Sequence, residues 1–158
     1  MDELNGPTVQ SIKIDGQGDL YHEGVKITHA RTIELFLRSL RRLPDGGYVI
    51  EVGNESAPVD VEDVPLLITS FGLEHGRPLC ITNDGLRDEL RPDSLWIGPQ
   101  GALYGVLADR GLAARFVRSA HVQAAQHVQP DRNAPQRFVI CIGEREYPIR
   151  LGPAEDGG

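Results

Sequence analysis

The chain is poor in sulfur, in aromatic residues and in positive charge, and it has no long apolar run. Two of its 158 residues are cysteine, Cys80 in "PLCIT" and Cys141 in "FVICIG". Both settings are strand-like, where a reduced thiol packs as a small hydrophobe. Neither belongs to a CxxC pair or a Cys/His cluster, which argues against a zinc site and against a disulfide framework. No stretch approaches the ~20 apolar residues of a membrane-spanning helix. The opening "MDELNGPTVQ" is acidic and polar, whereas a secretory signal begins basic and continues apolar. The expected compartment is therefore the cytoplasm. Lysine and arginine number 16 against 23 acidic residues, a net charge of −7. That balance argues against two partners held by their negative charge, duplex nucleic acid and an anionic membrane surface.

Catalytic signatures are missing as well. The histidines His22, His29, His75, His121 and His127 show no HExxH spacing, and neither a Gly-x-Ser-x-Gly elbow nor a Walker loop occurs. The short "GQG" and "GPQG" stretches read as turns. No residue is assigned a catalytic or metal-binding role, and no cofactor is expected.

What the chain does have is a repeat. "IKIDGQGDLY" at 12–21 returns as "LWIGPQGALY" at 95–104. Ile14, Gln17, Gly18, Leu20 and Tyr21 recur as Ile97, Gln100, Gly101, Leu103 and Tyr104. The glycines suit hairpin turns that need backbone freedom, and the tyrosines suit packing with a hydrogen-bonded hydroxyl. A helical segment follows each copy, "THARTIELFLRSLRRL" and "DRGLAARFVRSAHVQAAQHV". In the first, Thr28 is a plausible N-cap and Ile33, Phe36, Leu37 and Leu40 share a face; Pro44 and Gly46-Gly47 stop it. Arg38, Arg41 and Arg42 then complement the helix dipole. In the second, Asp109 is the cap and Leu112, Phe116, Ala120 and Ala124 form the inner face. Both segments carry Phe-x-Arg-Ser. A strand with a proline in its partner follows each: "YVIEVG" with Pro58, "FVICIG" with Pro148.

The fold class is accordingly α+β, a duplicated hairpin–helix–hairpin unit in two packed halves. The divisions are a flexible start at 1–11, a first repeat at 12–61, a structured connection at 62–94, a second repeat at 95–151 and a flexible end at 152–158.

Four stretches carry a family resemblance: "DGQGDLYHEGVKITHARTIELFLRSLRR", "VDVEDVP", "ITNDG" and "RGLAARFVRSA". In these the chain resembles the bacterial family called domain of unknown function 1285. It departs from the family at Leu20, where tryptophan is usual, and at Leu66, where phenylalanine is usual. It departs again at Ala113, where an acidic residue is usual, and at His121-Val122, where an aromatic pair is usual. The resemblance implies a duplicated α+β fold whose second half has a pleckstrin-homology-like character. It also implies ligand binding between the halves, in a signalling role.

The candidate site is built on arginines. Arg115 and Arg118, three apart on the expected helix, share a face, and Arg110 lies near its N-terminus beside Gly111. This suits a phosphate or carboxylate. Asp63, in "VEDVPLL" with Glu62, is expected to bridge to these arginines. The leading reading is a non-enzymatic module holding an anionic, nucleotide-like ligand through Arg110, Gly111, Arg115, Arg118 and Asp63. An adaptor for a protein partner is the alternative. A hydrolase using Asp63 or Glu62 with His121 ranks last.

Overall fold

A computed structural model describes residues 11–153. The chain divides between Pro65 and Leu66 into two compact units, each with one sheet and one α-helix. The flexible ends expected at 1–11 and 152–158 fall almost wholly outside the described residues. No helix among the described residues is long and apolar enough to cross a membrane.

The first unit contains β1 (Ile12–Ile14), β2 (Leu20–His22), β3 (Val25–Lys26), α1 (Ala30–Arg38), β4 (Leu40–Arg42), β5 (Tyr48–Val52) and β6 (Glu55–Val61). Its sheet runs β3-β2-β1-β6-β5-β4. Every pair is antiparallel except β1–β6. The β1–β2 turn is tied by Asp15, whose Oδ1 accepts the N–H groups of Gln17 and Asp19, both at 2.9 Å. Gly18 sits in it at φ 88°, as its turn role requires. The Tyr21 hydroxyl donates to Asp15 Oδ2 at 3.2 Å.

The first helix is shorter than its sequence suggests. His29, not Thr28, caps it, with Nδ1 accepting the N–H of Thr32. It ends at Ser39, and Leu40–Arg42 form a strand instead. Arg41 and Arg42 therefore lie on β4, not at a helix end; Arg41 pairs with Glu51 across the hairpin at 3.2 Å. Pro44 and Gly46-Gly47 lie in that hairpin's turn, where Asp45 accepts the N–H of Gly47. Leu40 is buried either way, since the same spacing satisfies a helix face and a strand facing the core.

The second unit opens with β7 (Leu66–Glu74), β8 (Arg77–Thr82) and β9 (Arg87–Glu89). It continues with β10 (Trp96–Ile97), β11 (Leu103–Val106), β12 (Ala113–Phe116), α2 (Arg118–Ala125), β13 (Val128–Asp131), β14 (Ala134–Ile142) and β15 (Arg145–Leu151). The sheet order is β13-β14-β15-β10-β11-β12-β7-β8-β9. Residues 62–94 thus supply three strands to the second sheet.

The second helix is half the expected length. Ala113–Phe116 alternate half-buried and buried, the period of a strand, and pair with both β11 and β7. Backbone pairing on both sides outweighs the helical preference of "LAAR". Asp109 is not a helix cap, and Arg115 and Arg118 do not share a helix.

Six strands of the second sheet repeat the first sheet's arrangement. Reading β10 for β1 through β15 for β6, the order is the same, and so is the single parallel pair, β10–β15. The registers agree residue by residue. Ile14 faces Leu20 and Val61; Ile97 faces Leu103 and Leu151. Tyr48 faces Val59 as Phe138 faces Ile149, and Leu40 faces Ile50 as Val128 faces Ile140. The Phe-x-Arg-Ser match is the exception. Phe36-x-Arg38-Ser39 closes α1, whereas Phe116 ends β12 and Arg118-Ser119 open α2. Arg115 faces Tyr104 as Lys26 faces Tyr21, so its counterpart is Lys26 rather than Leu35.

Candidate functional site

Arg110 lies in the connection from β11 to β12, a tight turn closed by Gly111 N–H to Leu107 O. Gly111 takes φ 68°, and nothing stands within 4 Å of where its Cβ would be. The turn sends the Arg110 guanidinium into the β8–β9 hairpin. Nη1 donates to Asp84 Oδ2 at 2.6 Å, Nε to Asp88 Oδ2 at 3.2 Å and Nη2 to Thr82 Oγ1 at 3.0 Å. The carboxylates are held from behind as well. Asp84 Oδ1 accepts from the Thr82 hydroxyl and the Leu86 N–H, and Asp88 Oδ1 accepts the N–H groups of Glu89 and Asp109. Asp84 and Asp88 have side-chain exposures of 0% and 1%, and Arg110 of 19%. Burial on its own would raise the Asp84 pKa. The hydrogen bonds from Thr82, Arg110 and the Leu86 amide, with the Arg110 charge, outweigh it and hold the carboxyl below its ordinary value.

Three donor positions of Arg110 are thus committed within its own unit. A buried ion pair of this kind locks loops together, and the expected anion contact at Arg110 gives way to a structural one. Arg115 is half-buried on β12, and Arg118 is exposed at the first position of α2. Asp63 is an exposed residue of the first unit, and its neighbour Glu62 pairs with Lys13 at 3.7 Å. Among the described residues, no group of three or more His, Cys, Asp or Glu side chains could hold a metal. Cys80 and Cys141 form no disulfide.

A cavity lies elsewhere in the second unit, between α2 and the sheet. Ile97, Leu103, Val128, Phe138 and Ile149 form its floor and sides, and His121 and Ala125 of α2 form its rim. Its volume is about 190 Å³. The internal comparison explains it. Register makes Glu51 and Cys141 counterparts. Their N–H groups donate to Ser39 O and His127 O, at 3.3 and 2.7 Å. Counting back from Ser39 and His127 pairs Leu37 with Ala125, Ile33 with His121 and Ala30 with Arg118. Leu37 is wholly buried in the first unit, where Ile14 and Leu40 are 0% and 5% exposed. Ala125 cannot reach as far. Its surroundings open accordingly: Ile97 and Val128 are half-exposed, and Phe138 is 43% exposed.

No family model matches the chain, and no curated protein matches it. Two solved structures do. One is a DUF1285 family protein from Shewanella baltica OS155, 24% identical, covering 75% of this chain and 92% of its own, with a TM-score of 0.63. The other is a DUF1285 family protein from Silicibacter pomeroyi DSS-3, 16% identical, covering 87% of this chain and 78% of its own, with a TM-score of 0.70. The fold is that of DUF1285 family proteins.

The motifs that carried the DUF1285 resemblance can now be placed. "ITNDG" is the β8–β9 turn that presents Asp84 to Arg110, and "RGLAARFVRSA" runs from Arg110 through β12 into α2. Asp84 and Asp88 escaped attention in the sequence because an Asp-Gly turn needs no further explanation. Of the departures from the family, Leu20 and Leu66 are buried core, Ala113 begins β12, and His121 stands at the cavity rim.

Proposed function

We propose that the chain is a non-enzymatic small-molecule-binding module whose ligand sits in the second unit, under α2. One observation carries the reading: a concave apolar cavity under α2, lined in part by Ala125, whose register-matched position in the first unit holds the buried Leu37. Ligand sites are typically apolar hollows with few polar groups, and this one has His121 as its one polar side chain. The two units descend, on this reading, from one duplicated β-β-β-α-β-β-β element. The first copy keeps the closed core and the second has opened it.

The test uses the fluorescent apolar anion 8-anilinonaphthalene-1-sulfonate on the folded chain. Its emission is expected to rise saturably with one site, and Ala125→Leu is expected to remove that rise. Emission that persists in the folded variant rejects the cavity as the site.

An adaptor role, tied to the pleckstrin-homology-like character implied for the second half, rests on exposed apolar groups there, Leu151 at 83% and Val122 at 57%. It predicts recovery of one specific protein partner and no response to Ala125→Leu.

A further inference from the structure

We infer, resting on that reading, that the ligand class is a free medium-chain aliphatic acid, its hydrocarbon in the cavity and its acidic head along α2 at His121 and Arg118. The walls show what chemistry fits the hollow: Ile97, Leu103, Val128, Phe138 and Ile149 are all apolar, and the position matching Ala125 in the first unit holds a buried aliphatic side chain, Leu37. A nucleotide base and sugar are poorly served by these walls. Their polar groups would lose water and find, among the lining residues, only His121.

The head group follows from the same position-by-position comparison. Ala30, Ile33 and Leu37 form an apolar stripe at i, i+3 and i+7 of α1. The matching stripe of α2 is Arg118, His121 and Ala125. The residue that shrinks is therefore accompanied by two that gain polar nitrogens, on the same helix face. Neither side chain makes a hydrogen bond or ion pair with another described residue. The first turn of α2 has no acidic residue and no side-chain cap, so its amide groups and Arg118 favour an anion together. At 1.5 Å rise per residue, Arg118 and Ala125 are about 10 Å apart along the axis, on the order of the length of an eight-carbon acid.

The test compares octanoate with octanamide, which share a hydrocarbon chain and differ in charge. Methyl NMR shifts of Ile97, Leu103, Val128 and Ile149 are followed at low ionic strength, in the full chain. Both compounds are expected to move these methyls, octanoate about fivefold more tightly, the upper range for an exposed ion pair. Arg118→Ala is expected to bring octanoate down to the octanamide affinity, and Ala125→Leu to abolish both. Arg118 is exposed, so its removal leaves the fold intact and keeps the test valid whether or not Ala125→Leu folds. Equal affinities for the two compounds in the unaltered protein, or an octanoate affinity unchanged by Arg118→Ala, overturn the acid assignment while leaving the cavity reading in place. Methyls that respond to neither compound overturn both.

Discussion

Leu37 and Ala125 occupy matching positions in the two units, each three residues before the strand that closes its helix hairpin. Leu37 is fully buried and Ala125 is exposed. The difference is a large side chain against a small one at positions matched by register. Removing the large one should leave a hole, and supplying it should fill one. Leu37→Ala is expected to cost about 2–5 kcal/mol. Ala125→Leu is expected to gain about 1 kcal/mol. Urea unfolding followed by amide signals from each unit measures both. A neutral or destabilising Ala125→Leu would show that the two positions are not interchangeable.

The Arg110 cluster should behave as a lock. Arg110→Ala leaves Asp84 and Asp88 buried without their counter-charge, for an expected loss of about 3–5 kcal/mol. Arg110→Lys should lose much of the same stability, because one ammonium cannot reproduce the three-way reach of Nε, Nη1 and Nη2. Arg77, bonded to Glu89 but 68% exposed, is the control. Arg77→Ala should stay within about 1 kcal/mol. Similar losses at Arg77 and Arg110 would contradict the buried lock.

Acid should weaken that lock, and the sign follows from Asp84. Its folded-state pKa is lowered relative to the unfolded chain. The unfolded state therefore takes up its proton first as pH falls. The Asp84 contribution is fully present above the unfolded aspartate pKa and disappears as pH drops through the folded value. Stability is expected to decline in acid, and Asp84→Asn should flatten that decline while lowering stability at neutral pH. Unfolding midpoints across an acid pH series, in both proteins, measure this. Parallel curves would show that Asp84 is not the group titrating.

The matching turns and strands were legible in the sequence because turns and strand alternation are local. Gly18 and Gly101 mark turns at φ 88° and 79°, and the prolines at 58 and 148 sit opposite equivalent valines. The arginine site was misread for an equally physical reason. "LAARFVRSAHV" has helical composition, yet Ala113–Phe116 gains pairing partners on two sides, and those partners lie far away in the chain. Arg110 gave no local sign of its burial, since Asp84 and Asp88 stand 26 and 22 residues from it. The cavity was legible only once register fixed which helix residues correspond. The Phe-x-Arg-Ser match had aligned the helices eight residues out of step.

Cys80 offers a probe of the same region. It sits on β8 between β7 and β9 at 1% exposure. Burial pushes its thiol up to about 12, with the Asp88 charge adding to the shift. At mildly alkaline pH it is a protonated, inaccessible thiol, and the thiolate is the reactive form. Cys141 is only half-buried. A disulfide reagent such as Ellman's is therefore expected to modify one thiol of the native protein readily, Cys141, and the second only as β8 opens. Because Arg110 anchors the β8–β9 hairpin, Arg110→Ala should speed the slow phase and leave the fast one unchanged. Two thiols reacting at one rate in the native protein, or a slow phase indifferent to Arg110, would remove the lock from the account of this hairpin.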